Sequence, residues 1–145
     1  MSPEPVLFIK LPIPPSVNHC YRTFTTKKGR RMRVLTGEAK KWMGDAANLI
    51  KDARNRARWI ALDEKTVMAY WVWWPDLRDH DCDNILKLIQ DALKEYGIVT
   101  DDHLILPRAQ DYDLDRKNPR VEVMVWRLGG APTIGAVQMN AIAAS

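Results

Sequence analysis

Lys65–Pro75 reads KTVMAYWVWWP. β-branched and aromatic residues dominate it, as strands prefer. Its apolar side chains fall on both alternating faces, and a strand of that kind is central in a sheet or covers a partner chain. Pro75 stops it, having no N–H to give to a ladder.

Working outward from this strand, the N-terminal side begins with a short apolar strand at about residues 6–11. Prolines at 12, 14 and 15 then forbid regular structure. The run YRTFTTKKGRRMRVLT reads as two short strands around a basic turn, with Gly29 supplying the bend. Thr36 is an N-cap for a helix running to about residue 56, with Ala39, Trp42, Met43, Ala46, Leu49 and Ile50 at helical spacing. On the C-terminal side a second helix is expected at about 83–96. Its buried stripe is Ile85, Leu86, Ile89, Ala92, Leu93 and Tyr96, and Gly97 is its C′ residue. Strands follow at about 104–112 and 120–127. The expectation is a single α+β domain over residues 1–128, a mixed sheet with two main helices packed on it. No charged residue occurs from Leu128 to Ser145, so residues 129–145 read as an uncharged tail outside the main fold.

The 145 residues suffice for one domain with a real core. Net charge is only +4, which permits a polyanionic partner without requiring one. The distribution says more. Arg22, Lys27, Lys28, Arg30, Arg31 and Arg33 crowd one segment, and acids crowd residues 76–102. The two cysteines, Cys20 and Cys82, make no disulfide framework and point to a reducing compartment. The opening MSPEP has no signal-peptide pattern, and no apolar run approaches the length of a membrane span. A cytoplasmic protein with no membrane partner is expected.

The acidic segment is DHDCDNILKLIQDALKEYGIVTDD, Asp79–Asp102. If residues 79–83 are extended, Asp79, Asp81 and Asp83 share one side. Asp83 then stands at a helix start, where free N–H groups favour negative charge, and Lys87 lies one turn above it. A helix over 84–96 is roughly 20 Å long. Five extended residues beyond Gly97 return roughly 17 Å, which brings Asp102 back toward Asp81 and Asp83. Clustered carboxylates repel unless a cation joins them. All-oxygen ligands suit Mg²⁺ or Mn²⁺, which activates water and stabilises charge on a phosphoryl group. The other account is plain: Asp83 is an N-cap, Lys87 its ion-pair partner, and TDD a polar turn. An EF-hand is excluded, because Asn84 replaces the sixth-position Gly and Gln90 the twelfth-position Glu. The histidines and cysteines show no zinc spacing.

This segment resembles the RusA family of Holliday junction resolvases. The family pattern of D-x-D-N, a lysine four residues after the second Asp, a helix ending in Gly, then D-D is met by Asp81, Asp83, Asn84, Lys87, Gly97, Asp101 and Asp102. The early run PIPPSVNHCYR is similar to the family's Pro-Pro-Ser-x-Asn segment, and the resemblance spans roughly residues 5–127. It implies a homodimeric, Mg²⁺-dependent endonuclease of a bacterial or phage-infected cell. Such an enzyme cuts four-way DNA junctions by paired symmetric nicks that leave 5′-phosphates. By position, Asp81, Asp83 and Asp102 hold the metal and Lys87 assists catalysis. Cys82, the tryptophan-rich strand and the tail depart from the pattern.

The six basic residues of 22–33 suit a phosphate-contacting hairpin, and backbone contacts of that kind carry no base information. Tyr21 and Phe24 are stacking candidates. A C₂ dimer presents two sites to a near-symmetric junction, and VMAYWVWW and the second helix are the candidate interface, with burial in one core the competing account. Two other functions stand beside a junction resolvase: a broader nuclease for flaps or forks, and a non-catalytic junction-binding protein.

Overall fold

In the computed structural model, which describes residues 6–130, the run at the centre of the chain is strand β4, Thr66–Trp74. It pairs antiparallel with β6, Arg120–Arg127, and parallel with β5, Ile105–Leu114. β1, Leu7–Leu11, pairs antiparallel with β6, giving the sheet order β1-β6-β4-β5. The sheet is mixed, as expected. Parallel strands need a crossover connection, and here it is α2, Leu86–Glu95, between β4 and β5. A separate hairpin, β2 (Tyr21–Thr25) and β3 (Arg31–Leu35), carries the basic turn.

One face of the sheet buries Leu7, Ile9, Met68, Tyr70, Val72 and Val123 in a core shared with the helices. Onto it pack α1, Gly37–Ala57, through Ala39, Trp42, Ala46 and Ile50, and α2 through Leu88, Ile89, Ala92 and Leu93. The opposite face buries Val67, Ala69, Trp71, Met124 and Trp126. On that same face Glu122 is fully buried between Lys10 and Arg120, each 3.7 Å away, and Arg120 lies over the Trp73 ring at 4.1 Å. β4 is therefore central in the sheet, and its side chains are buried on both faces apart from a half-buried Trp73.

The helix starts follow from their caps. Thr36 is extended, and its Oγ1 accepts from the Ala39 N–H at 3.2 Å while donating to the His19 carbonyl at 2.8 Å. The same threonine thus starts α1 and ties down the hairpin base. Leu49, expected in the α1 stripe, is 43% exposed, because the buried line runs through Ala46 and Ile50 and leaves it on the flank. α2 begins later than expected. Asp81 caps the Asp83 N–H at 2.9 Å and draws Cys82–Ile85 into a 3₁₀ turn ahead of the α-helix. α2 ends at Gly97, whose φ of +85° lets the Ile98 N–H bond back to the Leu93 carbonyl at 2.8 Å.

Of the uncharged tail, Gly129 and Gly130 close a short 3₁₀ turn, Leu128–Gly130, and residues 131–145 lie outside the described residues.

Candidate nuclease site

The acidic residues lie on the connection between β4 and β5, with Asp81 and Asp83 just ahead of α2 and Asp102 just ahead of β5. After Pro75 the chain turns through a polar knot. Asp76 accepts from Arg78 at 2.9 Å and meets His80 at 2.7 Å, and these two groups hold its carboxyl well below the usual range. The His80 ring stacks on Trp74, with centroids 4.2 Å apart and planes 7° off parallel. This knot delivers the chain to Asp81 in an extended conformation.

Asp81 and Asp83 are both exposed and stand two residues apart on the 3₁₀ turn. The expected extended run, with Asp79, Asp81 and Asp83 in phase, is not formed, because the Asp81 carboxylate bends the chain onto the Asp83 amide. The pair sits beside Tyr70, a core residue of β4. Burial first, then the charge of Asp83, Cys82 and Asp81, pushes the Tyr70 hydroxyl up to about 12. Burial and the same two aspartates push the Cys82 thiol up as well.

Lys87 lies in the first turn of α2. Its ion-pair partner is Asp91 at 3.0 Å, one turn on, rather than Asp83. Across the site Lys87 meets Asp102 at 3.8 Å, so the return of the chain beyond Gly97 does reach the start of the helix. The hydrogen bond to Asp91, opposed by partial burial, raises the lysine, and the charges of Asp91, Tyr21 and Asp102 add to it. Its ammonium therefore stays charged. Asp91 also accepts from the Tyr21 hydroxyl at 3.0 Å. Asp101 pairs with His103 at 3.0 Å and caps the 3₁₀ turn Asp102–Leu104, with its carboxyl also against that of Asp102.

Two open clefts flank Asp81. One, of 660 Å³, is bounded by Trp74, Leu77, His80, Tyr112 and Asp113. The other, of 620 Å³, is bounded by Pro12, Pro14, Ser16, Asn84 and Pro119. The proline-rich segment thus belongs to the wall of the site, where the Trp42 indole holds it by donating to the Pro12 carbonyl at 2.8 Å.

On the hairpin, Arg22, Lys27, Lys28, Arg30, Arg31 and Arg33 are all exposed. Pairing of Tyr21 with Leu35, Thr23 with Arg33 and Thr25 with Arg31 sets Arg31 and Arg33 on the Tyr21 face. The Arg33 guanidinium covers the Tyr21 ring at 3.9 Å.

The structure brings Lys87 to Asp102 and sets Asp81 and Asp83 side by side. It does not draw the three aspartates into one closed group: among the described residues, no three His, Cys, Asp or Glu side chains converge as a metal site. The chemistry of the donors is nonetheless of one kind. Asp81, Asp83 and Asp102 offer carboxylate oxygens alone, the set that suits a hard divalent cation. Asp91 and Tyr70 were not foreseen as part of the site. The four-residue step from Lys87 to Asp91 was a visible signal for the first. No helix of the described residues is long and apolar enough to cross a membrane.

Residues 12–126, most of the chain and all of this site, match the family model described as Endodeoxyribonuclease RusA. No curated protein matches the chain.

Proposed function

The chain belongs to the RusA endodeoxyribonuclease family, and from that premise we propose that it resolves four-way DNA junctions by paired, metal-dependent nicks that leave 5′-phosphates. The observation that carries this reading is the juxtaposition of Lys87 and Asp102 at the start of the helix that follows the Asp81–Asp83 turn, within the segment the family model covers.

Asp81, Asp83 and Asp102 would hold Mg²⁺, or Mn²⁺ in its place. Bound there, the ion supplies an activated water and stabilises charge on the phosphoryl oxygens. The protein's own groups do the rest. Lys87, kept protonated, sets a fixed positive charge where negative charge grows in the transition state, and one such preorganised donor is typically worth about 3 kcal/mol. Two like carboxylates at Asp81 and Asp83 repel each other and a DNA phosphate alike, so the site favours a cation before it favours DNA. The six basic residues of the hairpin contact phosphates. Neutralising about six phosphates gives a log–log salt slope of roughly −5. A C₂ homodimer presents two such sites to the two-fold junction and permits paired cuts.

The test is cleavage of a synthetic mobile four-way junction with Mg²⁺ and with chelator, beside duplex and flap controls. The expected result is paired, metal-dependent nicking of the junction alone. Equal cutting of flaps would make it a broader structure-specific nuclease. Tight binding without cutting under any divalent metal would make it a junction-binding protein.

A further inference from the structure

Lys87 reaches the site on a long side chain with a freely rotating ammonium, and such a group acts as a fixed charge only if something fixes it. The grip comes from Asp91. Its Oδ1 accepts from Lys87 Nζ at 3.0 Å, and its Oδ2 accepts from the Tyr21 hydroxyl at 3.0 Å. A carboxylate engaged at both oxygens cannot turn without breaking a bond. Tyr21 belongs to the basic hairpin, 70 residues away in sequence, and is itself capped by Arg33 at 3.9 Å. On the other side Lys87 faces Asp102 at 3.8 Å.

We propose that Asp91 is a positioning residue for cleavage, holding the Lys87 ammonium toward Asp102, and that Tyr21 locks Asp91 so that the placement of Lys87 depends on the DNA-contacting hairpin. This rests on the role given to Lys87 above. The competing account is an ordinary i,i+4 pair that only supports the helix. Such a pair has no use for a tyrosine from another element. It also gives no reason for the Asp91 side chain to be only 26% exposed beneath the hairpin. The order Arg33, Tyr21, Asp91, Lys87, Asp102 is instead a continuous path of contacts from the surface that meets phosphates to the group beside the reacting one.

The experiment is steady-state cleavage of a four-way junction, at varied junction concentration, by the full chain, with Asp91→Ala and Tyr21→Phe each made in the wild-type and Lys87→Met backgrounds. Alanine preserves the helix, and phenylalanine preserves the ring beneath Arg33. Asp91→Ala is expected to lower kcat about 10- to 100-fold with KM and junction affinity unchanged. Tyr21→Phe is expected to lose a smaller part, and neither should cost anything further once Lys87 is Met. An equal loss in both backgrounds, or an unchanged kcat, overturns the proposal. A second readout needs no metal: in chelator, the rate at which an amine-acylating reagent labels Lys87, followed by mass spectrometry, is expected to rise in Asp91→Ala. An unchanged labelling rate also overturns it. The two levels separate cleanly. Lys87→Met cutting at the wild-type rate removes the role of Lys87 and the positioning with it. An enzyme that needs Lys87 but ignores Asp91→Ala loses the positioning alone.

Discussion

The two ends of α2 are built on opposite principles. At the C-terminal end everything is locked. Gly97 takes a left-handed turn, Ile98 and Val99 are buried, and the Trp59 indole donates to the Ile98 carbonyl at 3.0 Å. At the N-terminal end the helix opens through a 3₁₀ turn carrying exposed carboxylates, and the contacts there are ion pairs and side-chain hydrogen bonds. Apolar burial and backbone bonds fix one end, so the other can carry like charges that would not hold themselves together. The difference teaches that the helix serves as a rigid mount, anchored in the core at one end and presenting exposed carboxylates at the other.

If that division is right, substitutions at the two ends should fail in opposite ways. The largest effect belongs to the charged end. Asp81→Asn, Asp83→Asn or Asp102→Asn should each lower junction cleavage by at least about 100-fold, with junction binding retained and thermal stability changed by no more than roughly 0.5 kcal/mol. Cleavage assays beside thermal melts decide it, and retained cutting in all three variants would end the assignment. Next comes the anchored end. Gly97→Ala forces a side chain onto a backbone at φ +85° and sets its Cβ 2.9 Å from the Arg54 guanidinium. It should cost about 1–2 kcal/mol of stability, while the variant that remains folded cuts normally. A melt unchanged by Gly97→Ala would show that the anchor is slack. The smallest effect sharpens the picture at the hairpin. Arg30→Ala with Arg31→Ala should flatten the salt slope of junction binding by roughly 2 units, at about 0.9 per phosphate contact. A titration against salt with an unchanged slope would take these two arginines off the DNA.

Much of the anchored half is legible in the sequence, because its signals are local. The alternation in VEVMVWR gives β6 with its observed bounds, Thr36 announces α1, and Gly97 announces the end of α2. The charged half is harder, because its geometry depends on competition between side chain and backbone. DHDCDN scans as an extended run, yet an aspartate two residues before an amide can cap it, and the Asp81 cap wins. That single bond delays α2 and removes Lys87 from the reach expected for Asp83. The role proposed for Asp91 is hidden for another reason. Seen along the helix, Lys87 and Asp91 are an unremarked surface pair, and only the tertiary approach of Tyr21 distinguishes them. Leu49 fails more simply: helical spacing gives a stripe, and the stripe is wider in sequence than the sheet edge that α1 covers.

The sheet order carries a consequence for how the enzyme comes into being. β6, the last strand of the described residues, lies between β1 and β4 in the interior of the sheet. Until it is made, β1 and β4 have no ladder to share, and the surface that seats both helices has a gap through its middle. Pairings so distant along the chain form late and slowly. A partly synthesised chain still attached to the ribosome therefore exposes its acidic turn and its basic hairpin before any framework holds them in register. The framework that holds the acidic turn and the hairpin is complete only once the closing strand has paired.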